Sequence, residues 1–241
     1  ENNEWVTFEG DAALTATAGI SLTNGADGTV TNLEYTNFLS AAENEYFHTI
    51  GLPIDEDEEL KAMFVSFIKR LREEQGAKVR GVLSNYDSDY EGITNVTNGV
   101  VLETGEALTP AQAVAWAAGA SAGANMFQSL TFVEYEGAVD VSPRYDNDET
   151  IIRLKNGEFM FVFDPRDKTV SVEKDINSLV SLTAEKDKRF QKNKIIRIFD
   201  GMQNDLITEL KALIKEKKAA GQDIPANGDG MQIIRTAISL Y

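Results

Sequence analysis

Apolar positions repeat at helical spacing near the middle and the end of the chain, and at strand spacing between. Leu60, Met63, Phe64, Phe67, Ile68 and Leu71 fall on one helical face, opened by the acidic run 55–58 and stopped by Gly76. From about Glu185 a second periodic pattern runs through Ile195, Ile198, Phe199, Met202, Leu206, Leu210 and Leu213 to Lys218, followed by a loop over 221–230. Short apolar runs predict strands over 5–8, 15–22, 46–52, 79–83, 96–102 and 159–163, and the last turns through Asp164-Pro165 into a hairpin with 170–172. Two capping boxes mark helix starts: Thr31 with Glu34, and Thr109 with Gln112 beside Pro110 at the first helical position. The first of these helices is expected to bury Tyr35, Phe38 and Leu39. Residues 148–156 fit either a strand, by the propensity of Thr150-Ile151-Ile152, or a helix ending at Gly157. The alternation of strands and helices predicts an α/β (α+β) fold, a mixed β-sheet flanked by helices, with a smaller helical C-terminal lobe.

Composition narrows the chemistry. With 241 residues there is material for a substantial core, and with no cysteine there is neither a disulfide nor a thiolate site. A net charge of −16 argues against direct nucleic-acid binding. The longest uncharged run, 107–128, contains too many polar residues for the roughly 20-residue span of a bilayer, and no membrane contact is expected. No Lys or Arg precedes Lys61, whereas Lys186, Lys188, Arg189, Lys192, Lys194 and Arg197 cluster late. Such asymmetry fits either solvated surface charge with no partner or head-to-tail packing of identical subunits, for which a basic helix face formed by Lys188, Lys192 and Arg197 is the candidate contact.

No catalytic, cofactor-binding or metal-ligating set emerges. His48 is the single histidine and has no nucleophile motif beside it, which leaves an α/β hydrolase as a weak alternative. The acidic runs 55–59 and 146–149 carry oxygen ligands without the spacing of a calcium loop, and the first is accounted for by helix capping. Gly119 and Gly123, in an Ala-rich helix, have the spacing of close helix packing and lack the preceding strand of a dinucleotide fingerprint. No cofactor is expected.

One long-range pattern goes further. Trp5-Val6-Thr7-Phe8 leads to Leu22-Thr23-Asn24-Gly25, and then to Asp27-Gly28-Thr29-Val30-Thr31-Asn32-Leu33-Glu34-Tyr35. Phe64-Val65-Ser66-Phe67, Asp89-Tyr90-Glu91-Gly92-Ile93, the 109–125 helix and Ser129-Leu130-Thr131 follow. Ala138-Val139-Asp140, Gly157-Glu158-Phe159 and Lys192-Asn193-Lys194 through Asp200 complete the series. In this order they resemble the tail sheath proteins of contractile-tailed phages, in the form found in Gram-positive phages and prophages. The resemblance implies a core of subtilisin-like topology without enzymatic activity. It implies a structural subunit that polymerises helically around the tail tube and contracts to drive DNA ejection. The sheath of a phage-tail-like bacteriocin or secretion device is the related alternative.

Implied partners are further copies of itself, the tail tube, baseplate and tail terminator proteins. The implied location is the virion tail, assembled in the host bacterial cytoplasm. The implied organisation is a return from a protruding β-rich region over 1–28, an α/β sheath core over 29–182, and a C-terminal sheath domain over 183–241. Glu1 is not an initiator Met, and the stripe Ile234, Ala237, Ile238, Tyr241 runs on uncapped, so the chain is expected to continue in both directions. Without the family's terminal arms it is expected to leave a sheet edge uncovered and to stay mostly monomeric.

Overall fold

The structure, a computed structural model, describes residues 30–240. The strands expected over 5–8 and 15–22 lie outside them. The element order is α1 (Asn32–Ala42), β1 (Thr49–Leu52), α2 (Glu58–Glu73), β2 (Arg80–Ser84), β3 (Ile93–Val96), β4 (Gly99–Leu102), α3 (Pro110–Gly123), β5 (Ala138–Ser142), α4 (Asn147–Lys155), β6 (Glu158–Phe159), β7 (Phe161–Asp164), β8 (Thr169–Val172), α5 (Asn193–Ala219) and α6 (Gly228–Leu240). Strands β1, β2, β3 and β6 form a parallel sheet in the order β1-β2-β3-β6. Two antiparallel pairs, β4 with β5 and β7 with β8, complete the β structure.

Side-chain alternation divides the sheet between two cores. On one face Leu83 of β2 and Ile93 of β3 meet Leu60, Phe64, Phe67, Ile68 and Leu71 of α2. On the other, Val82 and Val96 join Ala113, Val114 and Ala117 of α3 and Phe159, Phe161 and Val172 of the later strands. Trp116, Tyr135 and Phe161 pack as a ring cluster there, with Trp116 and Tyr135 stacked at 4.7 Å. Helices on both faces are what a parallel sheet requires.

The capping signals hold. Thr31 and Thr109 close capping boxes, Asp57 caps α2 through Leu60 N at 2.9 Å, and Gly76 follows α2 at φ +74°. The ambiguous stretch is helical, capped by Asp146. Gly157 ends it at φ +74°, with an added Cβ only 2.9 Å from the Ser178 backbone.

Five expectations are corrected. The run 96–102 is two strands in different sheets, and so is 159–163. Asn98 explains both breaks: its side chain accepts from Phe161 N at 2.9 Å and donates to Phe161 O at 2.8 Å, standing in for a peptide group where the chain changes sheet. Residues 185–192 are not helical, because Asn177 holds Phe190 O and Gln191 O through its side-chain amide and backbone N–H, and Lys192 bridges Ile176. Phe38 is 56% exposed, leaving Leu39 as the buried residue of α1. Gly119 and Gly123 face open space, and the close approach of α3 to the sheet occurs at Gly51, whose Cβ would lie 3.1 Å from Val114.

Candidate functional site

Helix α5 enters the core through its first two turns and then leaves it. Its buried residues are Asn193, Ile196, Arg197 and Asp200, three of them polar, so the attachment is made by hydrogen bonds and charge. Asn193 donates to Asp175 Oδ1 at 3.0 Å and to the Ile176 carbonyl at 2.9 Å. Asp200 takes a bidentate grip from Arg72 of α2 at 2.8 and 2.9 Å, and Arg72 also donates to Val79 O at 2.7 Å. Burial pulls the Arg72 pKa down, but the Asp200 hydrogen bonds and charge outweigh it and the net direction is up. A buried pair so well satisfied adds modest net stability, yet losing one partner costs about 3–5 kcal/mol because the other is left uncompensated.

Asp175 is the second anchor. It accepts from Leu130 N at 3.0 Å through Oδ2, and its own N–H donates to Thr131 Oγ1 at 3.0 Å. With Asn177 and Ser178 it makes 175–178 a polar hub joining the sheet, the loop after β2 and the start of α5. Asn193 and Asp200 stand in a segment that marks the family resemblance, but no periodicity signals their role or that of Asp175 and Asn177. Only a polar residue at an apolar register position, such as Asp200 beside Phe199, hints at it.

The three candidate contact residues do not share a helix face. Lys188 lies in the loop before α5 and Lys192 at its N-cap, and both are exposed. Arg197 is 5% exposed and points inward, donating through Nη1 to the Gln128 carbonyl and lying 3.7 Å from Asp175 Oδ2 through Nη2. Part of the basic cluster is also used internally: Lys186 pairs with Glu91 at 2.7 Å and Arg189 with Asp187 at 2.7 Å.

Beyond Asp200, α5 continues for nineteen residues with no buried side chain, and α6 runs beside it. Leu206, Leu210, Leu213 and Ile238 line a groove of about 330 Å³ between the two. Phe199, Met202, Ile207, Ile214, Met231 and Ile233 remain exposed. A larger apolar groove, about 400 Å³, lies between α1 and the β1 side of the sheet, lined by Val30, Tyr35, Phe38, Leu52 and Pro53. Among the described residues β1 pairs only with β2, so its outer edge is free.

The ring of exposed His48 sits edge-on to Tyr46 at 5.1 Å, with Nε2 3.4 Å from the Tyr46 hydroxyl. Among the described residues no carboxylate or Ser is hydrogen-bonded to it, and no cluster of three or more His, Cys, Asp or Glu is placed to hold a metal. The acidic runs serve as caps: Asp57 for α2, Asp146 for α4, and Asp55 receiving Ala111 N of α3 at 3.3 Å. Among the described residues no helix is long and apolar enough to cross a membrane.

Residues 28–178 match the phage tail sheath protein central domain. The chain is 65% identical over 95% of its length to the uncharacterized protein YqbK of Bacillus subtilis, covering 49% of that protein. It is 60% identical over 97% of its length to the phage-like element PBSX protein XkdK of Bacillus subtilis, covering 51% of it. Its fold matches the sheath tail protein Lin1278 of Listeria innocua with a TM-score of 0.83 at 50% identity, over 97% of this chain and 53% of that one. The chain thus spans about half the length of the proteins it matches. Since the matched domain takes in both faces of the sheet and the polar hub at 175–178, the chain belongs to the phage tail sheath family.

Proposed function

We propose that this chain is part of a structural subunit of a contractile tail sheath, which polymerises helically around a tail tube and contracts to drive DNA ejection. The observation that carries the reading is the match of 28–178 to the sheath central domain. The 50% identity to a sheath tail protein of the same fold supports it. Its partners are then other copies of itself, the tail tube, the baseplate and the tail terminator. Its place is the virion tail, after assembly in the host cytoplasm. Catalysis has no part in this role, which asks only for a rigid body with adhesive surfaces.

The physical features suit the task. A packed core with helices on both faces resists deformation, so motion is directed to contacts between subunits. The outer edge of β1, unpaired among the described residues, offers main-chain donors and acceptors to an arm of a neighbour, which would add a strand by β-augmentation. Lys188 and Lys192 supply exposed positive charge for an acidic neighbouring surface, while Arg197 acts from within by fixing α5. In the organisation we favour, 1–28 returns from a protruding region, 29–182 is the core and 183–241 the C-terminal domain. The polar hub then holds the second boundary together.

Electron microscopy of the complete reading frame in negative stain tests the proposal. Striated tubes are expected, and Lys188→Glu with Lys192→Glu should shorten or abolish them. A soluble, folded full-length protein that forms no tubes alone or with tail tube and baseplate would overturn the assignment.

A further inference from the structure

A cavity of about 310 Å³ opens between the N-terminal end of β2, the last turn of α3 and the second turn of α5. Arg80, Arg197, Lys78, His48, Asn125 and Asp200 are among its lining residues. Arg80 is 8% exposed, and its guanidinium donates to Ser121 Oγ at 3.1 Å and Ser121 O at 3.3 Å. Among the described residues it has no carboxylate partner within ion-pair distance. The C-terminal end of α3 offsets roughly half a charge at best.

The neighbouring acids are already occupied. Both Asp200 oxygens are held by Arg72, and Asp175 accepts from Asn193 and Leu130 N. Three guanidinium groups, those of Arg72, Arg80 and Arg197, therefore meet two carboxylates. Arg197 adds a second sign of incompleteness. Its Nε and Nη2 are buried without a hydrogen-bond partner, since Asp175 at 3.7 Å is near enough to attract Nη2 but too far to accept from it. Burial, and after it the charge of Arg197, pushes the Arg80 pKa down to about 10. Below that pH the uncompensated charge weighs against the folded state, and the penalty is relieved as pH rises toward the usual arginine range.

We propose that this cavity is an oxyanion site, which takes one carboxylate or phosphate group on Arg80 and Arg197 with Lys78 at its rim. An oxyanion supplies what each arginine lacks, a negative charge beside Arg80 and acceptor lone pairs for Arg197. Two sources share this chemistry: a free inorganic anion, or an acidic side chain of a second copy of this chain. The inference stands independently of the sheath reading.

Thermal unfolding of the 241-residue chain in rising sodium phosphate, at ionic strength held constant with sodium chloride, tests it. The midpoint should rise with the logarithm of phosphate concentration, as for a ligand that binds the folded state alone. Arg80→Met should weaken phosphate binding about ten- to hundredfold, the loss expected for a charge-assisted fork. Arg166→Met, on an exposed turn, should bind like wild type. If Arg80→Met does not fold, Arg80→Lys keeps the charge, and its phosphate affinity should be several-fold weaker. Sedimentation with and without phosphate separates the sources: phosphate that breaks up oligomers identifies a second copy's acid, and phosphate that leaves them unchanged identifies a free anion. A midpoint that follows ionic strength alone, or an equal phosphate response in the Arg80 variant, overturns the site.

Discussion

Between α1 and β8, every element but α4 contributes to one of two apolar clusters, and the polar groups inside are paired with few exceptions. Past Asp200 the same chain makes helices of good propensity whose described side chains contribute almost nothing to either cluster. Both regions are amphipathic, but only the first has its apolar side covered. In α2 the stripe Leu60, Phe64, Phe67, Ile68 and Leu71 is buried, whereas in α5 Phe199, Met202, Ile207 and Ile214 are exposed and Leu206, Leu210 and Leu213 are only half covered beside α6. Helical periodicity thus reports that a face wants covering, and says nothing about whether the cover lies within the chain or outside it.

The sharpest way to test the contrast is to remove apolar mass from each region. Phe64→Ala, at a side chain 1% exposed, should cost about 3–5 kcal/mol in urea unfolding. Ile207→Ser, at a position 37% exposed, should move the same transition by no more than about 0.5 kcal/mol. Equal losses would mean that α5 and the sheet unfold as one unit and that the distinction is false.

The joint between the regions should be nearly as sensitive as the core. Arg72→Met leaves Asp200 buried without its partner, at a cost of about 3–5 kcal/mol. Arg72→Met combined with Asp200→Leu should recover most of that stability, because neither member of the pair is then left as a lone buried charge. A double variant as unstable as the single one would show that the loss comes from packing rather than charge. Hydrogen exchange gives a milder form of the comparison. Amides of α2 should exchange only through global opening, and those of the second half of α5 through local opening at far lower free energy. Equal protection in both would remove the basis for separating them.

How much of this could be read in advance follows the same physical division. The α2 stripe, both capping boxes and the hairpin turn after Asp164-Pro165 rest on local rules and appear where those rules put them, though the first hairpin strand begins at Phe161 rather than Phe159. The breaks at Asn98 and Met160 escape such rules, because a run of apolar residues looks alike whether it stays in one sheet or passes into another. The ionic joint escapes for a different reason: Arg72 and Asp200 are far apart in sequence, and nothing local marks them as partners. Arg197 is the instructive misreading. Its charge suggested a surface contact, but its place two residues before Phe199 is one the helix turns inward.

The smallest expected effect concerns the other end of the described chain, where the C-cap residue of α1 ties it to α2 beside the packing of Leu39 and Tyr35. Glu43 accepts both terminal nitrogens of Arg70 at 2.7 Å and also the side-chain amide of Gln75. The Arg70 hydrogen bond, followed by that of Gln75, holds the Glu43 carboxyl below its ordinary value of 4.5. A depressed carboxylate contributes its stability above the unfolded pKa and loses it as pH falls through the lower folded value. The pair is exposed, so salt should weaken it and the global transition should scarcely change. Exchange of the α1 amides is the sensitive readout: protection should be steady from neutral pH to about 5 and fall at lower pH, beyond the intrinsic acid slowing of exchange. Glu43→Gln should show the loosened helix already at neutral pH. If the variant kept wild-type protection, Leu39 and Tyr35 packing on α2 would hold the helix, and α1 would belong wholly to the covered region.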